Sequence, residues 1–206
     1  MPGSGPRPSN QTAFAALRRF ARERAVAERC ELCSAPLAPD HQHLIEPPSR
    51  RLLCCCDACA LLFSSQHAAR YRRVPRRVRA LPDFRLSDAH WERLLIPIDL
   101  AFFYRSSQTG KVVALYPSPA GATESLLELD AWDDLVRDNP MLTELQPDVE
   151  ALLVNRVGGA REYYLAPIDR CYELVGLIRT HWRGLSGGET LWAEVGRFFA
   201  RLKEQG

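Results

Sequence analysis

The sequence has no run of about 18 apolar residues, so no membrane-spanning helix is expected. Met1 to Gln11 is rich in Pro, Gly and Ser and lacks the apolar stretch of a secretory signal. It reads as a disordered tail over 1–11. With neither signal nor span, the expected compartment is the cytoplasm. Lysine is scarce: Lys111 and Lys203 are the only two among 27 basic residues. We read that bias as genome composition rather than chemistry. What is present is ordinary for a globular chain, with 206 residues, 46% of them hydrophobic and 25% charged. That length suits one medium domain, or one domain with a small appendage.

Net charge is +2 but unevenly placed. Residues 1–80 hold 14 Arg against 6 Asp plus Glu, giving +8, and residues 81–206 hold 13 basic against 19 acidic, giving −6. The two regions either attract each other or face different partners. Six of the seven cysteines lie between positions 30 and 59. In a reducing compartment such a cluster reads as metal ligands rather than disulfides.

Apolar spacing predicts a helix over Thr12–Arg29 and another over Leu61–Arg73, broken at Val74-Pro75. From about residue 84 the pattern changes. Ile96–Tyr104 and Lys111–Tyr116 read as a β-hairpin, and Asp130–Arg137 as a short helix with Asp130 at its N-cap. Val149–Arg156 and Arg161–Pro167 read as a second hairpin. Asp169 caps a helix running to Trp182, and Thr190–Lys203 is a last helix. The expected organisation is a tail (1–11), a helix with a metal module and a basic linker (12–80), and an α+β domain (81–206). That domain would be an antiparallel sheet with helices on one face.

Cys30-Glu-Leu-Cys33 and Cys56-Asp-Ala-Cys59 are two Cys-x-x-Cys pairs. Each forms a knuckle whose backbone amides point at thiolate sulfur. Between them, His41–Glu46 and Arg51–Cys55 can pair as short strands around Pro47-Pro48-Ser49. Cys56 and Cys59 then fall at the first turn of a helix, where the terminal partial charge favours thiolate. Knuckle, hairpin and helix with a second pair is the treble-clef layout. Cys30, Cys33, Cys56 and Cys59 are the expected ligands of one metal, zinc, with iron as the alternative, because two Cys pairs also hold rubredoxin-type iron or an iron–sulfur cluster. Cys54 or Cys55 could replace Cys56, but a pair on a helix turn has the better geometry. His41 and His43 share one strand face and are alternative ligands. Cys171 is expected in the core.

No catalytic residue is assigned. The zinc-stabilised HNH nucleases share paired cysteines around a strand His, and His41 would be that residue. However, no Asn lies between His41 and Cys56. Gly184-Leu-Ser186-Gly-Gly188 matches the nucleophile-elbow pattern but follows a helix rather than a strand, so it reads as a helix–helix loop. The basic run Arg70–Arg79 has one aromatic, and nucleic acid is not the expected partner.

Several blocks carry a resemblance. They are Cys30–Cys33, Leu53–Phe63, Tyr116–Ser125, Pro147–Arg156, Pro167–Gly176 and Trp182–Gly188. Over about residues 25–202 the chain resembles a bacterial family of unknown function whose genes sit beside uptake nickel–iron hydrogenase genes, notably in actinobacteria. The resemblance brings no activity with it. It implies a context, in which the chain is a non-catalytic accessory or adaptor of hydrogenase assembly, or else a rubredoxin-like redox or metal-handling partner. A hydrogenase subunit or maturation factor is the expected partner. Arg72, Arg73, Arg76 and Arg77 would be a basic docking arm. Trp182, Leu191, Trp192, Phe198 and Phe199 exceed what one buried face needs, which fits either docking or burial in the core.

Overall fold

The structure, a computed structural model, describes residues 28–64, 70–125, 131–184 and 186–206. The expected tail and most of the Thr12–Arg29 helix lie outside these residues. So does the expected N-cap, Asp130.

The fold is α+β, with two antiparallel sheets and C-terminal helices. The small sheet has the order β2-β1-β3, formed by β1 (Gln42–Glu46), β2 (Arg51–Cys55) and β3 (Arg72–Arg73). Helix α1 (Asp57–Ser64) follows β2 directly. The predicted Leu61–Arg73 helix is therefore corrected. Among the described residues it is helical only to Ser64, 65–69 lie outside them, and Arg72–Arg73 pairs with Leu44 and Ile45 instead. Sheet hydrogen bonding there outweighs the local helical propensity.

The large sheet has the order β4-β9-β8-β5-β6-β7. Its strands are β4 (Arg79–Ala80), β5 (Leu100–Arg105), β6 (Val112–Ser118), β7 (Gly121–Glu124), β8 (Glu150–Asn155) and β9 (Glu162–Pro167). Both predicted hairpins form, β5 with β6 and β8 with β9. The helices are α2 (Asp88–Arg93), α3 (Ala131–Asp138), α4 (Ile168–His181) and α5 (Glu189–Gln205). Ser87 caps α2, its hydroxyl accepting from the His90 amide.

Both faces of this sheet are covered, which corrects the one-face expectation. In β5 the side chains alternate. Leu100, Phe102 and Tyr104 join a core with α4 and α5, whereas Ala101 and Phe103 join a second core with Leu81, Phe84, Trp91, Leu135 and Leu142. Leu191, Phe198 and Phe199 are buried in the first core, and Trp182 and Trp192 pack against it. The surplus apolar residues of α5 are thus core residues.

The small sheet lies against the large one. Ile45, Val74 and Val78 belong to the same core as α4 and α5. Charged pairs cross between the two parts, Arg50 with Glu124 at 2.8 Å and Arg72 with Asp148 at 3.4 Å, and Arg79 of β4 pairs with Glu144 at 2.8 Å on the large-sheet side. The basic and acidic halves of the chain therefore meet within the molecule.

Candidate metal centre

The first knuckle is closed by the Cys30 amide donating to the Ala35 carbonyl and the Ser34 amide donating to the Cys30 carbonyl, both at 2.8 Å. Ser34 takes a positive φ of 63° to make that turn. An antiparallel bridge between Arg29 and Pro36 joins its two arms. Glu31, inside the pair, ties the knuckle to β2. Its amide donates to the Cys54 carbonyl at 2.9 Å, and its carboxylate accepts from the Cys54 amide at 2.7 Å and from Arg51 at 2.8 Å.

The hairpin β1/β2 supplies the second pair. Cys56 follows β2, and Cys59 lies in the first turn of α1, where the Ala60 amide donates to the Cys56 carbonyl at 2.9 Å. The structure brings the sulfurs of Cys30, Cys33, Cys56 and Cys59 within 4.8 Å of one another. Cys33 Sγ and Cys56 Sγ are 3.7 Å apart. A tetrahedron with metal–sulfur bonds of about 2.3 Å has sulfurs about 3.8 Å apart, so the donor set fits a metal ion. Zinc and iron would both be held by these four residues.

The electrostatics suit a cation. Burial pushes the Cys30 thiol up, but amides of Cys56, Leu32 and Cys33 donate to its sulfur and bring it down to about 6. Burial, then the neighbouring sulfurs, hold the Cys59 thiol above its ordinary value. The Ala35 amide draws Cys33 down, yet its sulfur neighbours leave it raised. Four sulfurs in so small a space repel one another once ionised, and a bound cation relieves that repulsion.

The remaining cysteines separate cleanly. Cys55 is fully buried behind the site, its thiol near the Gln42 carbonyl at 3.4 Å and pushed up to about 12 by burial. Cys171 lies in the main core, where burial raises its thiol. Cys54 is on the opposite strand face. His41 and His43 do not join the four sulfurs; they cluster with Cys54. Asp169 is not the N-cap of α4, which is Pro167; it lies inside the first turn, where one carboxylate oxygen accepts from the Arg170 amide at 2.8 Å and the other from His43 Nδ1 at 2.9 Å. Sequence spacing carried no signal for that contact or for the tie made by Glu31. Gly184 and Ser186–Gly188 lie between α4 and α5, as read, with Gly187 and Gly188 both at positive φ.

A protein-family model described as a family of unknown function, DUF5947, matches residues 29–206. The chain belongs to that family. The matched segment contains all four clustered cysteines, both sheets and the C-terminal helices. No curated protein and no solved structure matches the chain.

Proposed function

We propose that the four-sulfur site holds zinc, and that the protein is a non-catalytic metal-binding accessory or adaptor of nickel–iron hydrogenase assembly or function. The observation that carries the zinc reading is the complete set of four convergent sulfurs. Four thiolates close a tetrahedral site and leave no position for a substrate, which is the pattern of structural zinc. The core beneath the site argues the same way. Among the described residues its buried members are Cys30, Leu44, Cys55, Cys59 and Ala60, three of the five cysteine, with Leu32, Ala35, Leu37, Cys56 and Tyr71 packed against them. A core so rich in cysteine gains from a metal that cross-links the knuckle to the start of the helix. A structural zinc supplies apparent binding free energy of about 10–16 kcal/mol, which becomes folding free energy for the module.

The hydrogenase context is supported by the resemblance of the sequence blocks, and family membership is compatible with it. The test is tagged purification from a host growing on hydrogen. A hydrogenase subunit or maturation factor should copurify, and deleting the gene should lower hydrogen uptake without slowing growth on rich medium. Normal uptake in the deletion strain together with no copurifying subunit would sink this reading. A red protein with thiolate-to-iron bands would replace it with the rubredoxin-like redox carrier.

A further inference from the structure

The hairpin β1/β2 has two faces. Leu44 and Cys55 face the four-sulfur core. On the other face His43 pairs with Cys54 across the strands, next to Ile45 and Leu52, which pack into the main core. His41, just before β1, places its ring 4.8 Å from that of His43, centroid to centroid. One donor atom from each of His41, His43 and Cys54 lies within 4.8 Å of the other two.

Both rings are held in the way a metal-binding imidazole is held. His41 Nδ1 donates to the Ala38 carbonyl at 2.9 Å, and the Glu28 carboxylate is 3.4 Å away. His43 Nδ1 donates to the Asp169 carboxylate at 2.9 Å. Since a carbonyl and a carboxylate only accept, each Nδ1 carries a proton, and a neutral ring then presents its Nε2 lone pair. Ligating histidines are oriented by this kind of bond, Nδ1–H to a carboxylate or a backbone carbonyl. His41 supplies a second, independent sign. Its side chain is only 7% exposed, and its Nε2 is buried with no hydrogen-bond partner. Buried polar atoms without partners are rare, and an unfilled ligand position accounts for this one. His41 and His43 also line a cleft of about 340 Å³ with Asp40, Arg76, Asp169 and Arg170.

We propose that His41 Nε2, His43 Nε2 and the Cys54 thiolate form a second metal site, for a divalent transition metal of the zinc class. Two imidazoles and one thiolate are a borderline donor set, suited to Zn²⁺ and to Co²⁺ as its spectroscopic substitute. Three protein ligands leave a fourth position for water or a small ligand from the cleft, so this metal exchanges where the four-sulfur metal does not. Asp169 is a positioning residue that fixes the ring of His43.

The experiment is a Co²⁺ titration of the full chain, purified with its tightly held metal in place and kept reduced. The wild type should take up one further equivalent, with tetrahedral Co²⁺ bands and a thiolate-to-metal band weaker than that of a four-thiolate site. Cys54→Ser should abolish the thiolate band and weaken uptake at least tenfold. A His41→Gln, His43→Gln double variant should lose the equivalent. Asp169→Asn should weaken it about 10–100-fold. In every variant the tightly held metal should stay at the wild-type amount, which separates loss of this site from loss of the fold. No further equivalent in the wild type overturns the proposal, as does uptake unchanged by Cys54→Ser or by the double histidine variant. Because the count is a difference from the wild type, it stands whether the four-sulfur site holds zinc or iron.

Discussion

Glu31 shows how much of a metal site lies outside its ligands. It binds the first knuckle to β2 through the amide and carbonyl of Cys54 and through Arg51. Glu31→Ala should therefore weaken metal binding by about 10–100-fold, as loss of an outer-shell partner does; competition with a chromophoric chelator measures it. Cys33→Ser or Cys56→Ser should strip the metal, and Cys171→Ala should retain it, because Cys171 sits in the main core. The four-cysteine cluster was legible in the sequence because Cys-x-x-Cys spacing is a local feature. Glu31, and the contact of His43 with Asp169 126 residues away, were not, because they depend on register and on tertiary approach. A parallel case is Asn139, which is fully buried. Its side chain donates to the carbonyls of Arg85 and Leu135 and accepts from the Arg85 amide. Asn139→Ala should lower stability by about 2 kcal/mol by leaving those groups unpaired, read as a lower denaturation midpoint.

Among the elements, those marked by an apolar run, a turn or a break were legible, including the five-residue β1 and β2 and the eight-residue α3, and the shortest were not. The apolar run before Tyr104 and the turns at Gly110 and Gly158-Gly159 mark β5, β6, β8 and β9, which the structure pairs as two hairpins. The same run held a further clue. Every residue from Leu100 to Tyr104 is buried, and an unbroken apolar strand signals a sheet covered on both faces. The two-residue strands β3 and β4 and the six-residue α2 are too short to show a period, and only their partners define them. The loop between α4 and α5 gives a sharp test. A Cβ on Gly187 would lie 2.6 Å from Leu191 Cδ2, φ there is +86°, and Leu191 is fully buried. Gly187→Ala should cost about 2 kcal/mol through strain and displacement of that side chain. Gly196, exposed within α5 with open space around its Cα, offers the contrast. Gly196→Ala should stabilise by about 0.5–1 kcal/mol. Urea midpoints of the two variants should move in opposite directions.

Across the whole molecule, the charge split visible in the sequence resolves into internal pairing. Arg50, Arg72 and Arg79 reach Glu124, Asp148 and Glu144. Arg73 donates to Gln42 at 3.1 Å and Arg76 to Asp40 at 3.3 Å. Held by such contacts, the basic arm is fastened to β1 and the residues before it, and through Arg72 it ties the small sheet to Asp148 just before β8. Asp148 is 4% exposed in its side chain, so Arg72→Ser should cost about 1–3 kcal/mol by leaving a buried carboxylate without its cation. Arg77 is exposed, and Arg77→Ser should change stability by less than about 0.5 kcal/mol. Together the knuckle, the hairpin and α1 converge on one point, where the four sulfurs lie within 4.8 Å of one another. Elemental analysis of the aerobically purified, desalted protein measures what holds them there. The account predicts about one tightly bound zinc per chain in a colourless protein, lost in Cys56→Ser. A folded protein that carries no metal at that site would contradict it.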